Sequence, residues 1–276
     1  MHISTKESLV IDVRKIIASK SRKLSRFVPK FIVRYLEKII HQNDINELLC
    51  KYGDSEGVEF VAKVLESLNV RTEVRYLSEG RIKSDGRYIF VSNHPLGGLD
   101  GMVLISELGK KFGDIKFVVN DFLMNIAPLE SIFVPVNKLG GMTRDYSDLI
   151  NNLYLSNSQI LYFPAGICSR MIKGEVTDLR WQTSFYKKAL VSGREIVPVH
   201  FSGRNSNFFY RLAKIRKMLG LKFNVEMLFL PDEMFKQRNG SFNVVVGRPE
   251  KPVRYCNREE LEKYCNEIRD KVYSLK

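Results

Sequence analysis

Cysteine and histidine are scarce in this chain, and neither is spaced as metal ligands or disulfide partners usually are. The 276 residues include four cysteines with no Cys-x-x-Cys pair and four histidines that stand far apart. We therefore expect neither a metal site nor a disulfide framework. Cysteines in such a pattern favour a reducing, cytosolic compartment.

Long apolar runs are absent as well. No stretch approaches the about 18 consecutive apolar residues of a membrane-spanning helix, and residues 1–7 lack the apolar segment of a secretory signal. We expect neither transmembrane insertion nor export. With 44% hydrophobic residues, the chain can still bury an ordinary globular core.

Acidic residues are in the minority. The chain has 44 Lys or Arg against 31 Asp or Glu, which gives a formal net charge of +13. This balance favours an anionic partner, such as nucleic acid, an acidic membrane surface, or a phosphorylated or acyl-carrier substrate. The excess is concentrated near the amino terminus, because residues 1–40 contain ten Lys or Arg and three Asp or Glu.

Within this basic segment, apolar pairs recur every four residues from Phe27 to Ile40, each beside a Lys or Arg. The pattern predicts an amphipathic helix with Pro29 in its first turn. Such a helix suits the headgroup region of an anionic bilayer, although a helix that docks on the protein's own core has the same pattern. We assign residues 1–75 to a basic, amphipathic, helical segment that contacts an anionic membrane surface.

From Tyr88 onward, short β-rich runs alternate with helical stretches and turn residues. Strands are predicted over residues 88–91, 116–119, 132–136, 160–163, 196–201, 225–229 and 242–246. This alternation predicts an α/β sheet domain with crossover helices over residues 76–276.

Three later stretches lie outside these strands. An apolar stripe surrounded by basic residues is formed by Phe208, Leu212, Ile215 and Leu219. We expect this stripe to face the core, the commoner arrangement, rather than to make a second membrane contact. Residues 231–235 are expected to form an edge loop, and residues 258–275 a packed amphipathic helix.

An imidazole and a carboxylate flank a glycine-rich turn directly after the run 88–91. His94 is suited to removing a proton from a hydroxyl near neutral pH, and Asp100 can fix its tautomer and stabilise the imidazolium. Gly97 and Gly98 can adopt backbone angles that are closed to other residues, which lets the chain fold the two side chains together. A strand followed by a helix that Asp100 merely caps would have the same residues.

Three later segments complete a pattern with this block. Residues 133–136 are Phe-Val-Pro-Val, residues 163–170 are Phe-Pro-Ala-Gly-Ile-Cys-Ser-Arg, and residues 196–199 are Ile-Val-Pro-Val. Together they resemble the four blocks of the glycerolipid (PlsC-like, lysophosphatidate-type) acyltransferase superfamily, over roughly residues 85–205. The resemblance implies a PlsC-type sheet domain with flanking helices, with His94 and Asp100 as catalytic residues and no cofactor or metal.

Departures from the family pattern concern the acceptor. Five residues separate His94 from Asp100 instead of the usual four, as in the haemolysin-like branch associated with lyso-aminolipids. Ala165 replaces the glutamate of the third block, and residues 135–137 (Pro-Val-Asn) stand where the second block usually has a phosphate-binding Arg. The resemblance therefore implies an ornithine- or glycine-type lyso-aminolipid as the acceptor, with lysophosphatidate as the alternative.

The implied reaction moves a fatty acyl group from acyl-carrier protein or acyl-CoA to a hydroxyl of the lysolipid. Backbone N–H groups near Gly97, Gly98 or Gly166 would stabilise the oxyanion, and Arg170 or Lys173 would contact the acceptor carboxylate. Substrate contacts are expected at Asn93, Gly97, Gly98, Pro164, Gly166, Arg170 and Lys173. An acyl-enzyme route through Cys168 is ranked below direct transfer. We expect the protein in the cytoplasm, peripheral on the inner face of the cytoplasmic membrane.

Two interpretations of other classes stay open. A nucleic-acid binder with a basic arm would leave the His94–Asp100 block unexplained, so no nucleic-acid partner is expected. A non-catalytic lipid-binding homologue, suggested by Ala165, would keep the membrane contact without thioester turnover.

Overall fold

The computed structural model describes residues 10–20, 28–119, 126–135 and 144–276. The α-helices of these residues are α1 (Val13–Lys20), α2 (Lys30–Ile39), α3 (Gln42–Tyr52), α4 (Gly57–Ser67), α5 (Leu99–Phe112), α6 (Arg144–Leu155), α7 (Ser184–Ser192), α8 (Asn207–Met218), α9 (Leu230–Lys236) and α10 (Arg258–Ser274). The strands are β1 (Arg71–Tyr76), β2 (Tyr88–Ser92), β3 (Ile115–Val119), β4 (Phe133–Pro135), β5 (Gln159–Tyr162), β6 (Arg170–Ile172), β7 (Glu175–Thr177), β8 (Glu195–Phe201) and β9 (Ser241–Val246). Short 3-10 turns cover Glu79–Arg81, Ala127–Leu129 and Val225–Phe229.

The main sheet of the described residues has seven strands in the order β1-β9-β8-β2-β5-β3-β4. The strands from β8 to β4 run parallel, whereas β9 is antiparallel to β8 and parallel to β1. β6 and β7 form a separate antiparallel hairpin. The predicted α/β sheet with flanking helices is confirmed.

Helices cover both faces of the central strand β2, whose residues are all buried. Phe90 belongs to the cluster that includes Phe60 of α4. Ile89 points to the opposite cluster, which includes Phe185 of α7 and Ile268 of α10. Burial on both faces explains why β2 is a continuous apolar run rather than an alternating one.

Two stretches differ from the sequence-based expectation. Residues 225–229 form a 3-10 turn instead of a strand, and residues 231–235 lie inside α9 instead of an edge loop. Periodicity cannot distinguish a strand from a helical segment over so short an apolar run. Pro231 lies in the first turn of α9, where its fixed φ favours a helix start.

The apolar stripe predicted on α8 also differs from the expectation, because it does not face the core. Phe208, Ile215 and Leu219 are 48%, 52% and 67% exposed, and the buried residues of α8 are instead Phe209, Tyr210 and Ala213. Both sides of this helix carry apolar residues, so periodicity alone could not choose the side that the core covers.

The amino-terminal helices are partly docked on the sheet domain. α2 begins directly after Pro29, which caps the helix instead of lying in its first turn as predicted. It buries Val33 and Ile39 while Phe31 and Tyr35 stay exposed. Phe27 lies outside the described residues. β1, which the sequence analysis did not identify, runs across the boundary placed after residue 75. Among the described residues, no helix is long and apolar enough to span a membrane.

Candidate active site

The site is built where β2 ends, at the carboxyl edge of the parallel strands, where open α/β sheets usually bind ligands. Asn93 follows β2 and is tied to β8. Its Nδ2 donates to the Phe201 carbonyl at 2.9 Å, and its Oδ1 accepts from the Phe201 N–H at 2.8 Å. The amide of Asn93 therefore joins two strand ends and sets the position of the next residue, His94.

His94 and Asp100 meet across the glycine-rich turn. His94 Nδ1 lies 3.0 Å from Asp100 Oδ2, and Asp100 is fully buried in the first turn of α5. The same carboxylate accepts from the backbone N–H groups of Leu96 at 2.9 Å, Gly97 at 3.3 Å and Gly101 at 2.9 Å. Asp100 thus holds both the turn and the imidazole, and with Nδ1–H donating to it, Nε2 is left as the proton acceptor.

The pair is electrostatically coupled. Burial lowers the pKa of His94, but the charge and hydrogen bond of Asp100 outweigh it, so this pKa lies above its ordinary value. For Asp100, burial raises the pKa, and the opposing effects of His94 and of the backbone N–H groups of Leu96 and Gly101 bring it below the ordinary value. An ionised Asp100 can therefore stabilise an imidazolium at His94.

Aromatic rings support the imidazole. The His94 ring stacks on Phe163 with centroids 4.0 Å apart and an interplanar angle of 18°. Phe163 in turn meets the edge of Phe117 at 5.4 Å. The side chain of His94 is 14% exposed, so the ring is fixed but still reachable.

A second carboxylate, missed by the sequence analysis, fixes the main chain of His94. Asp178 Oδ1 accepts from the His94 N–H at 3.2 Å, while the His94 carbonyl accepts from the Ser169 N–H at 2.7 Å. Asp178 also accepts from Ser169 Oγ at 2.5 Å and from Trp181 Nε1 at 2.9 Å. Burial raises the pKa of Asp178. No local pattern marks this residue, because it lies 84 positions from His94.

The glycine turn leaves no room for a side chain at Gly97. Its φ is +78°, and an added Cβ would stand 2.8 Å from Leu230 Cδ2. The N–H of Gly97 donates to Asp100, and that of Gly166 donates to the Phe163 carbonyl at 3.0 Å. Of the three glycines considered for an oxyanion hole, Gly98 is the one whose N–H is not engaged by the described residues. It lies immediately before α5.

Arg170 is engaged inside the protein. Its Nη2 donates to Glu226 Oε1 at 2.9 Å and its Nη1 to the Cys168 carbonyl at 2.7 Å, and the residue is 9% exposed. The guanidinium expected to bind the acceptor carboxylate is thus already occupied by Glu226. Lys173 stands exposed at the turn of the β6–β7 hairpin with φ +50°.

The remaining expected residues lie around the β5 end of the site. Pro164 is buried beside Phe163, and its carbonyl accepts from the Gln182 N–H at 2.9 Å. Gly166 follows with φ +71° in an exposed turn. Pro135 ends β4, and the second-block residues 136 and 137 lie outside the described residues.

Cys168 is a packed thiol. It is fully buried, Arg170 Nη1 lies 3.1 Å from its Sγ, and burial raises its pKa to about 11. Because the thiolate is the reactive form, this cysteine is a poor nucleophile near neutral pH. The geometry favours direct transfer over an acyl-enzyme at Cys168.

An open cleft of about 640 Å³ lies beside the end of β8 and is lined by His200 and Phe201. Asn93 and Pro95 reach it, together with His200 and Lys276, but neither His94 nor Asp100 lines it. The imidazole of His94, which stacks on Phe163, is therefore not part of this cleft.

Comparison with known proteins identifies the family. A family model described as an acyltransferase matches residues 15–276. This chain belongs to that acyltransferase family. The resemblance drawn from the four sequence blocks is confirmed.

Two relatives of this acyltransferase are similar over nearly their whole lengths. A lyso-glycine lipid O-acyltransferase from Bacteroides thetaiotaomicron is 42% identical over 98% of this chain and 100% of its own length. A protein of the same description from Phocaeicola vulgatus is 39% identical over 96% of this chain and 95% of its own length. A solved structure, the 1-acyl-sn-glycerophosphate (LPA) acyltransferase PlsC from Thermotoga maritima, aligns over 95% of this chain and 90% of that chain, with a TM-score of 0.46 and 19% identity.

Proposed function

We propose that this acyltransferase moves a fatty acyl group from a thioester to the hydroxyl of a lyso-aminolipid of the glycine or ornithine type. The observation that carries the proposal is the His94 imidazole, held at 3.0 Å by a buried Asp100. The two relatives, at 42% and 39% identity, are described as acting on a lyso-glycine lipid, which supports this acceptor class.

In the proposed mechanism, Nε2 of His94 removes the proton of the acceptor hydroxyl as its oxygen attacks the thioester carbonyl. Asp100 stabilises the imidazolium that forms. The tetrahedral intermediate then collapses, the carbon–sulfur bond breaks, and the imidazolium returns its proton to the leaving thiolate. A positioned base of this kind contributes about 10²–10⁴-fold in rate.

We assign the oxyanion contact to the N–H of Gly98, which precedes the first turn of α5. The amino terminus of a helix favours negative charge, because its first N–H groups lack partners within the helix. One well-placed donor of this kind contributes about 10²–10³-fold. Arg170 is assigned a supporting role, since it ties the loop of Cys168 and Ser169 to Glu226.

For the donor we propose acyl-carrier protein or acyl-CoA, both of which are acidic and match the net charge of +13. For the location we propose the inner face of the cytoplasmic membrane, with the protein bound peripherally. Exposed Phe31 and Tyr35 of α2, beside Lys30, Arg34 and Lys38, support a contact of residues 1–75 with anionic lipid.

The deciding experiment measures thiol release from acyl-carrier protein and acyl-CoA thioesters by wild type and His94→Ala. A lyso-glycine lipid, a lyso-ornithine lipid and lysophosphatidate are supplied separately. We expect release that requires a lyso-aminolipid and falls at least about 100-fold in the variant. Release with lysophosphatidate alone would show that the acceptor is lysophosphatidate and not a lyso-aminolipid. Absence of acceptor-dependent release by a folded wild type would contradict catalysis.

A further inference from the structure

Large exposed apolar side chains concentrate on two helices of the described chain. They are Phe31, Ile32 and Tyr35 of α2, Phe208, Ile215 and Met218 of α8, and Leu219, Leu221 and Phe223 directly after α8. Phe31 is 71% exposed and Met218 is 76% exposed. Single exposed apolar residues are ordinary, but a contiguous group of them marks an interaction surface.

Phe229 joins the two helices into one surface. Its ring centroid lies 6.5 Å from Tyr35 of α2 and 5.1 Å from Phe208 of α8, in edge-on contacts. We call this apolar group, with Phe229, the α2–α8 surface. It is continuous although its two helices lie far apart in the sequence.

The unpaired charges on this surface have one sign. Basic side chains on it or beside it are Lys30, Arg34, Lys38, Arg211, Lys214, Lys217 and Lys222. None of these seven forms a side-chain hydrogen bond or ion pair within the part of the chain that the structure describes. Residues 207–224 contain no Asp or Glu, and the single acid of α2, Glu37, pairs with Arg14.

We propose that the whole α2–α8 surface seats the protein on an anionic lipid bilayer, with α8 and residues 219–223 as a second inserting element beside α2. This inference rests on the membrane contact of the proposed function and extends it. A bilayer interface accepts aliphatic and aromatic side chains below the headgroups and cations among them. A second copy of this surface would bring cations against cations, and an acidic protein would leave the apolar side chains without a matching partner.

The surface also lies next to the catalytic turn. Leu230 directly follows Phe229, and its Cδ2 would be 2.8 Å from a Cβ on Gly97. The residue that joins the two helices is therefore followed at once by a residue that packs on the turn between His94 and Asp100. When the α2–α8 surface binds a bilayer, the catalytic turn therefore lies close to the lipid.

The test measures co-sedimentation of the full chain with vesicles of phosphatidylglycerol and phosphatidylcholine. One variant is Lys214→Gln with Lys217→Gln, and its matched control is Lys187→Gln with Lys251→Gln, two exposed lysines elsewhere. We expect about 25-fold weaker binding of the first, because each basic residue near an anionic surface contributes about fivefold. The control should stay within about twofold.

An apolar pair of variants tests insertion. Met218→Ser with Leu219→Ser removes apolar contact at the end of α8, and Leu155→Ser with Val191→Ser does so at residues that are 62% and 84% exposed on α6 and α7. We expect vesicle binding to weaken at least about tenfold in the first variant and to be unchanged in the second.

Fluorescence quenching tests insertion directly. Brominated lipids should quench the fluorescence of the introduced tryptophan in Met218→Trp but not in Val191→Trp. The native Trp181 is only 3% exposed and provides a constant background.

Several outcomes would overturn the proposal. They are unchanged vesicle binding in both α8 variants, equal quenching of Met218→Trp and Val191→Trp, a wild-type dimer that these variants dissociate, and loss of binding to acidic carrier protein with vesicle binding intact. Transfer to an acceptor dispersed in detergent is measured separately. A wild type inactive in detergent would contradict the proposed function, while the vesicle result would still decide the surface.

Discussion

Two carboxylates serve the base of the site in different ways. Asp100 holds the imidazole of His94, and Asp178 holds its main chain. Both negative charges raise the pKa of His94, whereas its burial and Arg170 lower it. Arg269 reaches the carbonyl of Asp178 rather than its carboxylate. Removing the charge of either acid should therefore change the titration of His94.

We predict that Asp178→Asn moves the acidic limb of the pH profile of kcat/KM to lower pH. His94 must be neutral to accept a proton, so activity rises with pH through its pKa. Removing a nearby negative charge lowers that pKa, and activity then appears at lower pH. We also expect kcat to fall about tenfold or more, because the main chain of the base is held less firmly.

The matched control is Trp181→Phe, which removes one hydrogen bond to Asp178 but keeps its charge. The acidic limb should not move in this variant. If the acidic limb of the kcat/KM profile lies at the same pH in wild type and Asp178→Asn, Asp178 acts only by supporting the fold.

We predict that replacing Gly97 lowers the stability of the fold, both through backbone strain and through poorer packing. Gly97→Ala places a side chain at φ +78° and against Leu230. We expect the free energy of unfolding to fall by about 2–4 kcal/mol, measured by urea denaturation. Gly113→Ala, at φ +79° with nothing within 4 Å of the new Cβ, should lose only about 1 kcal/mol. Equal losses of stability in the two variants would show that Leu230 moves away from the new Cβ at little cost.

Among the elements, the segment from the 3-10 turn Val225–Phe229 through α9 covers the catalytic turn. Glu226 fixes this segment, since it is fully buried and accepts from Arg170 and Arg216, each at 2.9 Å. It thereby connects β6 and α8. Removing its charge leaves two buried or partly buried guanidinium groups without a counterion.

We predict that Glu226→Gln lowers the free energy of unfolding by about 3–5 kcal/mol, as expected when one partner of a buried ion pair is removed. Glu262→Gln provides a matched control, because Glu262 also binds two arginines, Arg180 and Arg258, but at the surface. That control should cost much less, because ion pairs at the surface contribute little to stability. A similar loss in both variants, measured by chemical denaturation, would contradict the role of burial.

For the whole molecule, the positive field is the main long-range feature, with a net charge of +13. Such a field raises the rate of encounter with an acidic donor and is screened by salt. We predict that kcat/KM for acyl-carrier protein or acyl-CoA falls about tenfold or more between low and high salt. An uncharged acyl thioester of N-acetylcysteamine should show little change, and equal salt dependence of both donors would contradict steering.

The sequence by itself determined the features that depend on local order. The turn between His94 and Asp100 is short enough for its glycines to bring the two side chains together. The apolar runs that predicted every strand of the main sheet except β1 needed only their own residues and neighbours. The acyltransferase family followed from four such local blocks, and the comparisons confirm it.

The tertiary structure decided what depends on contacts between distant residues. Asp178 reaches His94 from 84 positions away, and Glu226 reaches Arg170 from 56 positions away, so no local pattern marks either carboxylate. The side of α8 that stays exposed was likewise fixed by packing. Periodicity shows that a helix has an apolar stripe, but only the surrounding elements determine whether that stripe is covered.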